Sequence, residues 1–210
     1  MGFAACGVAP RRYAASGGGV SPAPHPGILP AMLTRSPTLD HLYRLFPDSP
    51  DRPAAEPIAA ADVPEPYHRL LVHTDHMTVT VEEFYGGPVD VRVLARRRDG
   101  DEYARKILLA LRSDGRIVQF GLVRIDLGVC PPAVRDAIVD GKTPLGRVLI
   151  ENDMLRRIES AGYLRVRLSV GMADWFAAPP GAETFGRLGV IYTGDRPAVE
   201  VLEILAPVRP

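Results

Sequence analysis

Two charged residues stand where the pattern around them is apolar. In Tyr103-Ala104-Arg105-Lys106-Ile107-Leu108-Leu109, Arg105 shares one face of a strand with Tyr103, Ile107, Leu109 and Leu111, because alternate side chains of a strand point to the same side. A guanidinium on an apolar face needs a partner, since burying a charge alone costs several kcal/mol. It suits a bidentate clamp for a carboxylate, and it equally suits a structural ion pair or a side chain that snorkels from a strand end. Glu203 repeats the pattern with the opposite sign. It shares a face with Val199, Val201 and Leu205, while Glu200 points the other way with Leu202 and Ile204. A carboxylate on a cavity face serves as an acid, a base or a hydroxyl acceptor. It also serves as a plain counter-ion, for which Arg105 is the obvious partner.

Other residue types with chemical potential carry weaker signals. Met77 follows Asp75 and His76 at a helix start and reads as core packing. His73 and His76 form an H-x-x-H pair without the glutamate of a metalloprotease or a nearby cysteine, so no metal site is expected. Arg124, Asp126 and the run Arg96-Arg97-Arg98 read as solvated strand ends and a hairpin. Gly86-Gly87 reads as a helix stop, because no helix start follows it to hold a phosphate. There is no Walker sequence, no G-x-S-x-G and no dinucleotide fingerprint.

The elements that must position these residues are legible in part. Residues 1–31 are rich in Gly, Pro, Ala and Ser and are expected to be a disordered tail. Residues 32–66 read as one helix, with Leu39, Leu42, Leu45 and Phe46 on one face, followed by a proline-rich connector running as coil along a surface. The body spans residues 67–210. It begins with a short helix over 67–73 and a second over 76–85, which Asp75 is placed to cap and Gly86-Gly87-Pro88 ends. Strands are predicted over 89–97, 102–112 and 117–127. Asp99-Gly100 and Asp114-Gly115 between them are hairpin signals. Pro131-Pro132 opens a helix to about Val139, and Thr143-Pro144 opens another that carries Leu145, Val148 and Leu149. Residues 154–182 resist assignment. Two final strands, 185–193 and 198–206, are joined by a turn at Thr193-Gly194-Asp195-Arg196-Pro197. The fold class is α+β: an antiparallel sheet of about five or six strands with helices on one side, a layout that leaves room for a ligand between the layers.

Composition narrows the function classes. Lys and Arg number 25 and Asp and Glu 25 in 210 residues, so the net charge is zero, which argues against non-specific nucleic-acid binding. No apolar run reaches the roughly 20 residues of a membrane helix, and no leader with an apolar core is evident. A cytoplasmic monomer is expected, with no nucleic-acid or membrane partner. Cys6 and Cys130 are the two cysteines, and a disulfide between them is not expected.

Four segments, in order, resemble chorismate lyase, the enzyme that splits chorismate into 4-hydroxybenzoate and pyruvate. They are Asp75-His76-Met77-Thr78 with its helix and Gly86-Gly87, Arg105-Lys106-Ile107-Leu108-Leu109, Gly141-Lys142-Thr143-Pro144-Leu145-Gly146-Arg147, and Glu203 followed by Pro207. The central segment matches the family's G-K-T-P-L-G-R at every position. The resemblance runs from about Leu70 to Pro207, and it is poor over 151–186 and absent from the first 60 residues. It implies a cofactor-independent lyase with no metal. Arg105 would hold the ring carboxylate and act in catalysis with Glu203, which faces the 4-hydroxyl end. Met77, Leu145 and Gly146 would complete the substrate site. Two other functions are compatible with the same residues. One is a non-catalytic protein that binds a small molecule such as an aromatic carboxylate, as in the ligand-sensing domains of one class of bacterial regulators. The other is an enzyme of specialised metabolism reusing the cavity. A regulator would carry a helix-turn-helix ahead of the sensor, and the proline-rich upstream segment does not read as one.

Overall fold

The computed structural model describes residues 33–154 and 157–208. Seven strands form one antiparallel sheet: β1 (Ala54–Ile58), β2 (Val89–Asp99), β3 (Glu102–Leu111), β4 (Ile117–Asp126), β5 (Arg157–Arg167), β6 (Glu183–Thr193) and β7 (Arg196–Leu205). Their order across the sheet is β1-β5-β6-β7-β4-β3-β2. The turns that build it are local. Asp99 pairs with Glu102 and Thr193 with Arg196, each across a two-residue turn led by a glycine with positive φ, the backbone state that tight hairpins demand.

Among the described residues six α-helices accompany the sheet: α1 (Leu39–Tyr43), α2 (Tyr67–Leu71), α3 (Met77–Tyr85), α4 (Pro132–Asp140), α5 (Leu145–Glu151) and α6 (Val170–Phe176). On β3, Tyr103, Ile107 and Leu109 pack against α2, α3, α4 and α5, whereas Ala104, Leu108 and Ala110 pack against α1 and α6. Both faces of the central strands are therefore covered, which is why β3 and β4 read as near-continuous apolar runs. The expected α+β class with an antiparallel sheet is observed, and α1 and α6 add a second covered face to the side on which helices were expected. No helix among the described residues is long and apolar enough to cross a membrane.

Several local expectations are corrected. The sheet has seven strands because β1 lies inside the stretch expected to be coil and β5 inside the stretch without an assignment. β1 pairs only with β5, so Pro57 sits in an edge strand, where a missing N–H is tolerated. Asp75 does not cap α3. The N-cap is His76, without a side-chain cap bond, and the Asp75 amide donates instead to His73 Nδ1 at 3.1 Å. Helix α5 begins one residue later than expected, with Pro144 as its N-cap and no cap from Thr143. The expected tail, with Cys6, lies outside the described residues.

Arg124 is not a solvated strand end. It is 2 % exposed and grips Glu102 through Nε at 3.1 Å and Nη2 at 2.9 Å, with Nη1 donating to Glu200 at 3.3 Å. His41 from α1 reaches the same Glu200 carboxylate at 3.1 Å. Nearby on this face Lys106 donates to Asp51 at 2.9 Å and to Ser49 at 2.9 Å. These charges can be buried because Arg124 meets Glu102 of β3 and Glu200 of β7, while the segment leading to β1 folds over the face and brings His41, Ser49 and Asp51, which satisfies the requirement that buried charge be paired and hydrogen-bonded.

Candidate functional site

The opposite face of the sheet holds a cavity of about 60 Å³ between β3, β4, β6, β7 and the starts of α3 and α5. Strand register sets its floor in rows. One row runs Arg105, Val123, Val201, Gly189 across β3, β4, β7 and β6. The next runs Ile107, Gly121, Glu203, Arg187. A third holds Leu109, Gln119 and Leu205. Arg105, Glu203, Met77, Leu145 and Gly146, the five residues nominated from the sequence, all line this cavity.

Arg105 is fully buried. Its Nη1 donates to the Ile138 carbonyl near the end of α4 at 3.3 Å, where the helix dipole is negative. Its Nε and Nη2 have no hydrogen-bond partner. Among the described residues no carboxylate offsets the charge: burial lowers its pKa below the ordinary arginine value, the Tyr103 phenol at near hydrogen-bonding range opposes the shift, and the neighbouring Arg96 adds to it. The Tyr103 hydroxyl lies close to the guanidinium without meeting the geometry of a hydrogen bond. Guanidinium remains cationic throughout. A buried donor without an acceptor costs about 1–3 kcal/mol, more when charged. Arg105 is thus a buried cation among the residues that line the cavity, with two donor atoms unmet.

Glu203 is different. Two strand spacings separate it from Arg105, with β4 between, roughly 10 Å across the sheet, so the pairing anticipated between them does not form. Its partner is Arg187, directly opposite on β6, whose Nε donates to Glu203 Oε2 at 2.6 Å. Arg187 also donates to the Leu71 carbonyl at 3.2 Å, to His73 at 3.1 Å and to Asp75 at 3.4 Å. The pair therefore anchors the connector between α2 and α3 to the sheet. His73 donates through Nε2 to the Leu70 carbonyl at 2.7 Å and accepts at Nδ1, which defines a neutral ring. Burial, then the Arg187 charge, lowers its pKa, and the Leu70 bond, Glu203 and Asp75 oppose the shift.

The wall opposite the sheet is where α5 meets α3. A Cβ on Gly146 would lie 3.0 Å from Thr78 Oγ1 and 3.2 Å from His76 Cβ, so only glycine allows this approach without displacement. The same two helices are joined by the Arg147–Glu82 ion pair. The start of α3 carries no side-chain cap, leaving its first-turn amides and positive dipole end on the cavity side.

Sequence reasoning missed two residues here, Arg187 and Gln119. Gln119 is 3 % exposed, lines the cavity and has an Oε1 without a partner. The signal that identified Arg105 was present for both: each is a polar residue at an apolar-face position of its strand, in Phe185-x-Arg187-x-Gly189-x-Ile191 and Gln119-x-Gly121-x-Val123-x-Ile125. Among the described residues no group of three or more side chains could hold a metal ion.

No protein-family model and no curated protein matches the sequence. Solved structures do. The effector domain of PhnF from Mycobacterium smegmatis is 13 % identical, with 66 % of this chain and 92 % of that one aligned and a TM-score of 0.47. A ligand-binding domain assigned to a GntR-family transcriptional regulator of Bordetella bronchiseptica is 17 % identical over 56 % and 85 %, TM-score 0.44. The C-terminal domain of the histidine utilization repressor of Pseudomonas syringae is 9 % identical over 58 % and 96 %, TM-score 0.41. At these identities the likeness concerns the course of the chain and not its ligand. The expectation of an enzyme is corrected to what these matches carry: they are regulator domains, and none of the three is a lyase. In the cavity Glu203 is engaged in the Arg187 ion pair. The likeness to chorismate lyase remains one of short motifs.

Proposed function

We propose that this domain binds a small carboxylate monoanion in the cavity, with Arg105 as the clamp and no turnover. The observation that carries the reading is the fully buried Arg105 guanidinium with two donor atoms unmet. Charge counting supports a monoanion. Arg187 and Glu203 neutralise each other, so Arg105 is the cavity cation left without a counter-charge, and a dianion such as chorismate would bury one charge unmatched. Met77, Leu145 and Gly146 serve as walls, and the first turn of α3 adds a favourable field for the anion.

Titration calorimetry with propanoate and propanamide tests this directly. The acid is expected to bind at least tenfold more tightly than the amide. Arg105→Met should abolish that preference and weaken the acid by about 100-fold, consistent with loss of a charged hydrogen-bond pair. The unliganded variant should melt no lower than wild type, because it loses an uncompensated buried charge. A wild-type protein indifferent to the carboxylate, together with an Arg105→Met variant that unfolds, would assign Arg105 to structure alone.

A further inference from the structure

The far end of the same cavity carries information about the ligand that the clamp does not. Gln119 stands four residues from Val123, the cross-strand neighbour of Arg105, which is about 13 Å of extended chain. Leu109 and Leu205 flank it in register. Packing against two leucines calls for an apolar side chain, and leucine or methionine would fill the space. The protein instead keeps a buried amide with an oxygen that meets no donor, an exception that native interiors rarely leave unexplained. The cavity thus has a cation at one end, an acceptor at the other, and apolar walls such as Ile107, Val123 and Val201 between them.

We infer that Gln119 reads a hydroxyl at the end of the ligand remote from its carboxylate. This rests on the proposed role of Arg105. The class that fits is an unbranched ω-hydroxy monocarboxylate: long enough to span the rows and neutral at the Gln119 end, where no counter-charge stands among the lining residues. The four-residue span from Val123 to Gln119, about 13 Å of extended strand, suits an extended chain better than a single ring.

The test is calorimetric titration of the full chain with 6-hydroxyhexanoate and hexanoate. Wild type should prefer the hydroxy acid by tenfold to 100-fold, as sites built around a buried polar group do when the matching group is missing. Gln119→Leu should reduce that ratio to about twofold or less, and Gln119→Met serves if the leucine variant melts early. Arg105→Met should weaken both acids to the same degree and leave the ratio alone. An unchanged ratio in both Gln119 variants, a wild-type preference for hexanoate, or tighter binding of 4-hydroxybenzoate than of either chain would overturn the inference. Binding of propanoate alone, with neither six-carbon acid bound, would overturn it while leaving the clamp standing. Failure of every carboxylate would remove both.

Discussion

Arg105 and Arg187 are both buried on the cavity face, and they differ in what their donors meet. Arg187 donates to one carboxylate and three carbonyls, whereas Arg105 reaches a single carbonyl. Truncation should therefore act in opposite directions. Arg187→Met leaves Glu203 as a nearly buried carboxylate without its counter-ion and releases the α2–α3 connector. A loss of about 3–5 kcal/mol is expected, read from the urea midpoint, against no loss for Arg105→Met. Equal losses in the two variants would show that their different hydrogen bonding carries no energetic consequence. Residue type and alternation alone flagged Arg105 and Glu203 but gave no means of pairing them. Pairing depends on which strand lies beside which, and β4 intervenes.

At the scale of elements, the β6–β7 hairpin decides the site. Its turn at Gly194-Asp195 and the irregularity at Ile191/Tyr192 bring Arg187 opposite Glu203. A slip of one residue in either strand would turn its side chain to the face opposite the other. Gly186 holds this register at close range: a Cβ there would fall 2.6 Å from the Glu203 backbone oxygen, an approach no other residue permits without moving a strand. Gly186→Ala should cost about 2 kcal/mol by overpacking, with the denaturant midpoint lowered and the slope unchanged. A midpoint equal to wild type would mean that the strands separate freely at this point. The hairpins joining β2, β3 and β4 were legible because turns that contain an Asp-Gly pair, Asp99-Gly100 and Asp114-Gly115, are local chemistry. β1 and β5 were not: β1 is a short edge strand containing Pro57, and β5 alternates weakly, so neither carries a strong periodic signal. They become strands by pairing with each other and with β6.

For the molecule as a whole, acid sensitivity should pass through His73. Its folded pKa is lowered from the ordinary 6.5 by burial and by Arg187 on β6, with Glu203 on β7 and Asp75 in its own connector opposing. The unfolded chain therefore binds more protons than the native one between the two values. Stability is full above 6.5 and falls as the pH drops below it and through the folded pKa. His73→Gln, which can still donate to the Leu70 carbonyl, should flatten the change in melting temperature between pH 7.5 and 5. An equal slope in the variant would assign the acid sensitivity elsewhere, for instance to the carboxylates of the Arg124 and Lys106 clusters.

Taken alone, the sequence determined the α+β class, the three-strand meander, the helix starts at the prolines, and five residues that line one cavity. These are consequences of local rules: period-two alternation, turn chemistry, and helix start and stop signals. Tertiary structure alone decided the rest. It placed strand β4 between Arg105 and Glu203, gave Glu203 to Arg187, and left Arg105 and Gln119 with unmet polar atoms in one cavity. It also buried Arg124 and Lys106 beneath the segment that leads to β1. The physical reason is common to all of these. Whether a polar group is satisfied depends on partners distant in sequence, and strand order, which brings those partners together, has no local signature.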